Sequence, residues 1–210
     1  MVQKIAQRAF TSLMIVRASQ GSEATPDVLS QFRYRKLLVP LDGSQRAECV
    51  LPAAVRLALA HDAQIELVHV VHQPDMPRRT PIGPDDTDLT EQFVARNRAE
   101  AEQYLDDVRN RLAGNVQPRV ITSKNVSATL HDVAANEDVD LVLLSAHGYS
   151  GLSRLPYGSV VNGLMAYSRT PLLMVQDMEY DVETASQSYL QITQTHSTVS
   201  RRETQLVGGR

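Results

Sequence analysis

The sequence predicts an α/β fold of Rossmann-like type: a five-stranded parallel sheet with helices on both faces. Two observations predict it. Strand-like and helix-like patterns alternate from Tyr34 to Asp177. The strand segments are short, near-continuous apolar runs, as expected of parallel strands covered on both sides.

Lys36 to Leu41 (KLLVPL) reads as the first strand. Ala47 to His61 then places Val50, Ala54, Leu57 and Ala58 at helical spacing, with Pro52 tolerable in a first turn where the missing N–H costs little. Ile65 to Val71 is the second strand, and the four prolines between His72 and Thr87 mark a surface loop. A long amphipathic helix is expected from Asp88, as cap, to Leu112, with Glu91 three residues into it. Its apolar stripe is Ala101, Tyr104, Leu105, Val108 and Leu112. Arg119 to Thr122 makes a short third strand. Ser127 is the expected N-cap of a helix through Ala134, with Leu130 and Val133 facing inward. Asp140 to Ser145 is the fourth strand, Ser159 to Tyr167 a helix, and Pro171 to Val175 the fifth strand.

Composition bounds the function. The chain has 210 residues, a 42% hydrophobic and 21% charged make-up and a formal net charge of −3. These are ordinary values for one globular core, and the charge gives no whole-molecule attraction to nucleic acid or anionic membrane. The lone cysteine, Cys49, permits no internal disulfide and reads as a small buried hydrophobe. No Cys/His cluster has metal-ligand spacing, so no metal site is expected. No run approaches the roughly 18 apolar residues of a membrane span. A cytoplasmic location is the expectation.

The two ends differ from the middle. Residues Met1–Arg17 align without a gap to Val160–Gln176, with Val2, Thr11, Leu13 and Val16 identical to Val161, Thr170, Leu172 and Val175. The shared pattern is a helix, a turn at threonine and a strand. Chance similarity between helix–strand units is one reading. The other is that residues 1–17 are the remnant of an upstream repeat, which must dock somewhere to bury its apolar face. Residues 18–33 read as a linker, 34–177 as the domain and 178–210 as a polar, disordered tail.

In sheets of this class, ligands bind beyond the carboxyl ends of the strands where the strand order reverses. Two loops matter there. Val39-Pro40-Leu41-Asp42-Gly43-Ser44 follows the first strand. Ser145-Ala146-His147-Gly148, nine residues and Gly158-Ser159 follow the fourth. Gly148 is expected to take a positive φ and admit backbone N–H groups to a phosphate. Gly158 and Ser159 open a helix, whose unpaired amides and dipole favour an anion, though a plain helix start has the same sequence. Asp42 is equally readable as a turn residue, and His147 as a structural hydrogen-bonder. Arg154 reads as a phosphate clamp or a solvated arginine, and His69 as a satisfied core histidine.

These loops, with Leu67-Val68-His69-Val70 in the second strand, resemble the universal stress protein family over roughly Tyr34 to Asp177. That family's loop is glycine, two residues, glycine, nine residues, then glycine-serine or glycine-threonine. The resemblance implies strand order 3-2-1-4-5 and a regulatory, stress-response protein that binds ATP, with or without Mg2+, or AMP. It assigns Asp42 to the ribose, Leu41 and Val70 to the adenine, and Gly148, Gly158 and Ser159 to the phosphates. Pro40, Ser145, His147 and Val160 are further expected nucleotide-binding residues of the same two loops. It implies a homodimer through the last-strand edge at Leu172–Val175, an unidentified regulatory protein partner, and at most slow ATP hydrolysis. The family's first loop glycine is Ser145 here, which keeps a second reading open: a relative without nucleotide that acts as a dimerisation or interaction module. A catalytic cousin is disfavoured, because neither a His-x-Gly-His pair nor a Ser-Gly-Gly-x-Asp-Ser loop is present.

Overall fold

The computed structural model describes residues 11–17, 32–73, 84–148 and 157–176. Its strands are β1 (Leu13–Ile15), β2 (Lys36–Pro40), β3 (Gln64–His72), β4 (Asn115–Ser123), β5 (Leu141–Ser145) and β6 (Leu172–Val175). Its helices are α1 (Gln45–Glu48), α2 (Leu51–His61), α3 (Pro84–Arg111), α4 (Val126–Asn136) and α5 (Ser159–Tyr167). The strands form one sheet in the order β1-β6-β5-β2-β3-β4. The strands from β2 onward pair in parallel and, counted from β2, run 3-2-1-4-5 as expected.

The expected five strands become six. β1 joins antiparallel along the outer side of β6, with Leu13, Met14 and Ile15 opposite Met174, Leu173 and Leu172. An edge strand presents a row of open backbone donors and acceptors, and an apolar strand without a partner is the natural thing to fill it. The edge that resemblance assigned to a second copy is therefore paired to the chain's own segment. The expected linker, apart from Phe32 and Arg33, and the expected tail lie outside the described residues.

Strand alternation divides the core into two layers. Leu37 and Val39 of β2 point to Ala54 and Ala58 of α2 and to Leu105 and Val108 of α3. Leu38 and Val68 point the other way, to Leu130 and Val133 of α4 and to Val161 and Leu164 of α5. Both faces of the central strands are dry, which is why their sequences lack polar alternation.

Several boundaries differ from expectation. The helix read from Ala47 to His61 is two helices. Ser44 caps α1, its Oγ accepting from Ala47 N at 3.2 Å, and Pro52 sits in the first turn of α2. Pro52 has no N–H and crowds the carbonyl four residues back, so the helix restarts. α3 begins at Pro84 and not at an Asp88 cap, because proline suits a first helical position. α4 is capped by Asn125, whose Oδ1 accepts from Ala128 N at 3.0 Å. Ser127 lies inside the first turn, close to Gly163 of α5, where an added Cβ would sit 3.0 Å from its side chain. β4 starts at Asn115 because Pro118, a poor strand signal, is tolerated on an edge strand.

At the opposite end of the sheet from the loops of interest, four charges meet across β2, β3 and β4. Glu66 is buried, with Lys36 Nζ at 2.8 Å and Arg119 Nη1 at 3.1 Å from its carboxylate. Arg119 also holds Glu137 at 2.7 Å. The Arg119 hydrogen bond lowers the Glu137 pKa against the opposing effect of burial. A carboxylate whose folded pKa is depressed stabilises the fold above its unfolded pKa, and loses that contribution as pH falls through the folded value. Arg119→Met is expected to destabilise by roughly 1–3 kcal/mol at neutral pH. The deficit should shrink as urea melts are repeated at progressively more acidic pH. A deficit independent of pH would assign the effect to packing instead.

Candidate functional site

The chain leaves β2 through Leu41, which is buried, and turns at Gly43, whose φ of +84° is the left-handed conformation that favours glycine. This turn aims Asp42 across the top of the sheet. Its Oδ1 accepts from Ser44 N at 3.0 Å and from Ser44 Oγ at 2.6 Å. Asp42 is therefore a turn residue, as its local sequence allows, and it also faces the loop after β5. A Cβ built on Gly148 would overlap Asp42 Oδ2.

That overlap corrects the expectation for Gly148. Among the described glycines only Gly43 and Gly114 have positive φ. Gly148 is required because the Asp42 carboxylate leaves no room for a side chain, not because of its backbone angle.

Ser145 ends β5 and is buried. Its Oγ donates to the His147 carbonyl at 2.7 Å and accepts from His147 N at 3.3 Å. The hydroxyl thus closes a tight turn within its own loop. His147 is buried as well. Gly158 precedes α5 in an extended conformation, φ −68° and ψ 169°. Its N–H donates to Ala146 O at 2.9 Å. This amide is committed to pinning the loop, which corrects the expectation that it serves a phosphate. Glycine at the cap offers no side chain, so the first turn of α5 has no side-chain cap. The amides at Ser159 and Val160 open a helix whose dipole is positive at this end.

The ten residues expected to bind nucleotide line one cleft: Pro40, Leu41, Asp42, Val70, Ser145, His147, Gly148, Gly158, Ser159 and Val160. The cleft has a volume of about 220 Å³ and lies between β2 and β5, where the strand order reverses. Val68, Val126, Leu130 and Leu144, among others, add to its apolar wall and were not read as site residues. A signal for two of them existed. Val126 and Leu130 are one turn apart at the start of α4, and that helix begins at the same end of the sheet as α5. Arg154 lies outside the described residues.

His69 and Cys49 differ from their readings. His69 lies beside Tyr104 in an edge-to-face contact with ring centroids 6.3 Å apart, and its Nδ1 is buried without a hydrogen-bond partner. Burial pushes its pKa down, only partly opposed by the Asp42 charge, so the ring is neutral at physiological pH. Cys49 is half-buried.

The sequence model of the universal stress protein family matches residues 33–176, well over half of the chain. The chain belongs to the universal stress protein family. Universal stress protein MJ0577 of Methanocaldococcus jannaschii is 23% identical over 163 residues, covering 68% of this chain and 95% of that protein. Universal stress protein YxiE of Bacillus subtilis is 27% identical over 151 residues, covering 68% of this chain and 99% of that one. Two solved structures share the fold. UspA from Lactobacillus plantarum superposes with a TM-score of 0.55 at 21% identity, covering 69% of this chain and 99% of its own. The structure of MJ0577 gives 0.57 at 20% identity, covering 71% and 100%. In this universal stress protein, no group of three or more metal-ligating side chains occurs among the described residues. No described helix is long and apolar enough to cross a membrane.

Proposed function

We propose that this universal stress protein is a cytoplasmic regulatory protein that binds an adenine nucleotide, ATP in the first instance, in the cleft between β2 and β5. One observation carries the reading. At the point of strand reversal, an apolar slot, a fixed carboxylate and an uncapped helix start converge on one cavity. Leu41, Val68 and Val70 offer an apolar surface to a purine. The Asp42 carboxylate, held by Ser44, would accept from ribose hydroxyls. The amides at Ser159 and Val160, with Gly148 opposite, suit a phosphate tail. Gly148 suits such a site because its missing side chain is what lets the Asp42 carboxylate lie against the loop after β5. Mg2+, where present, would ride on the phosphates. Occupancy, not turnover, is the signal.

Titration calorimetry with ATP and AMP tests this. Asp42→Ala should weaken binding about 10- to 100-fold, the worth of one hydrogen bond to a charged group. Protein that gives no heat with either nucleotide, and releases none on denaturation, overturns the reading. The interaction-module alternative would then stand, and the closed Ser145–His147 turn is the feature that favours it. Ser145→Gly removes the hydroxyl from that turn and should bind nucleotide at least as tightly. A clear loss of affinity would instead make the serine a ligand.

A further inference from the structure

The β1–β6 pair has a symmetry that neither strand needs for its own sake. In the alignment of the amino-terminal segment on the end of the domain, Leu13, Met14 and Ile15 are the counterparts of Leu172, Leu173 and Met174. In the sheet, they pair with Met174, Leu173 and Leu172 respectively. Met14 thus lies opposite its own counterpart, and the residues on either side lie opposite each other's. That is the register of two identical strands related by a two-fold axis through the central pair.

The facing follows the same rule. Leu13 and Ile15 pack on the layer that holds Leu172 and Met174, while Met14 is on the side of Leu173. An arbitrary strand docked on an open edge could take any register and either direction. This one takes the arrangement in which the counterpart residues, strand direction and facing all agree.

We infer that β1 is an internal stand-in for the β6 of a second copy of this chain, and that it holds a two-fold dimerisation edge closed. The occupant for which the edge is shaped is another β6, because the self-complementary register already exists within the chain. The stand-in is also an incomplete cover. Met14 is 48% and Val16 64% exposed, whereas their counterparts Leu173 and Val175 are half-buried against the second core layer. A whole second copy would bring that layer with it.

The clasp is short. Among the described residues it includes the three-residue pairing, a bond from Gln176 N to Ser12 Oγ at 3.3 Å, and one from Arg17 Nη2 to Met165 O at 2.6 Å. Displacing β1 exposes β6 without opening the core, since Leu13 and Ile15 are only partly buried. The inference is independent of the nucleotide reading.

The experiment uses the full chain. In the Leu13→Asp/Ile15→Asp variant, charges on the layer-facing side of β1 should expel it. Light scattering at micromolar concentration should then move from one chain mass for the unaltered protein to two for the variant, with unchanged far-ultraviolet circular dichroism. Adding Leu173→Lys should restore the single mass, because position 173 meets its own copy across the axis and like charges directly opposite repel. Leu173→Cys in the released background should give a disulfide-linked dimer, opposed strand residues being within reach of such a bond. Three results overturn the inference: a released variant that stays at one chain mass, a dimer indifferent to Leu173→Lys, or unaltered protein already at two chain masses.

Discussion

Gly148→Val is expected to lower ATP affinity by at least about 100-fold while leaving the sheet folded, as a single well-placed clash in a preorganised site can. The Cβ would occupy the space of Asp42 Oδ2. Asp42 cannot simply swing aside, because its other oxygen is held by the backbone and hydroxyl of Ser44. Either the carboxylate leaves and the ribose acceptor goes with it, or the loop retreats and the phosphate-side backbone goes. Both routes reach the same result by calorimetry. The smaller Gly148→Ala change supports a sharper test on stability. Its destabilisation should largely disappear in an Asp42→Ala background, because the two groups contend for one volume. Additive effects of the two changes, or wild-type affinity in Gly148→Val, would mean that the pair is not the constriction described.

Leu164→Ala is expected to cost about 2–5 kcal/mol of stability, read as a shift in urea midpoint at unchanged slope. Leu164 is fully buried and sits with Leu130, Val161 and Met165 in the layer between the sheet and its α4–α5 face. The truncated side chain leaves a void that close-packed neighbours fill only partly. The loss also reaches the site, since Leu164 fixes the helix whose first turn faces the cleft. A cost below about 1 kcal/mol would show that the layer can collapse around the gap.

How much could be read in advance depends on where the information resides. The central strands were legible because burial on both faces leaves no polar residue in β5 before Ser145. The α5 boundaries were legible because Gly158-Ser159 is a strong start and Pro171 follows soon after its end. The α1–α2 break and the α4 cap were misread. Pro52 acts by removing a backbone donor and Asn125 by accepting from the Ala128 amide, and a hydrophobic pattern records neither. β4 runs from Asn115 through Pro118, longer than the expected Arg119 to Thr122, and the tolerance of Pro118 depends on the strand being at the edge.

The cleft shows the same division. Asp42, Gly148, Gly158 and Ser159 were identifiable from their order and spacing. The reason for Gly148 was not, since its constraint comes from a residue on another strand. Likewise nothing local says that Ser145 Oγ turns inward or that the Gly158 amide is already used.

By itself, the amino-acid order determined the α/β class, the parallel core strands, the reversal point and the set of side chains gathered there. The class and the strands rest on periodicity and turn chemistry, which are properties of neighbours along the chain. The reversal point and its side chains rest on the loop motifs shared with the universal stress protein family. Only the tertiary structure decided that a sixth strand pairs with the β6 edge and that the Ser145 hydroxyl and the Gly158 amide are already bonded within the cleft. Those outcomes depend on contacts between residues far apart in sequence, where hydrogen-bond direction and excluded volume select among arrangements that composition and spacing leave equivalent.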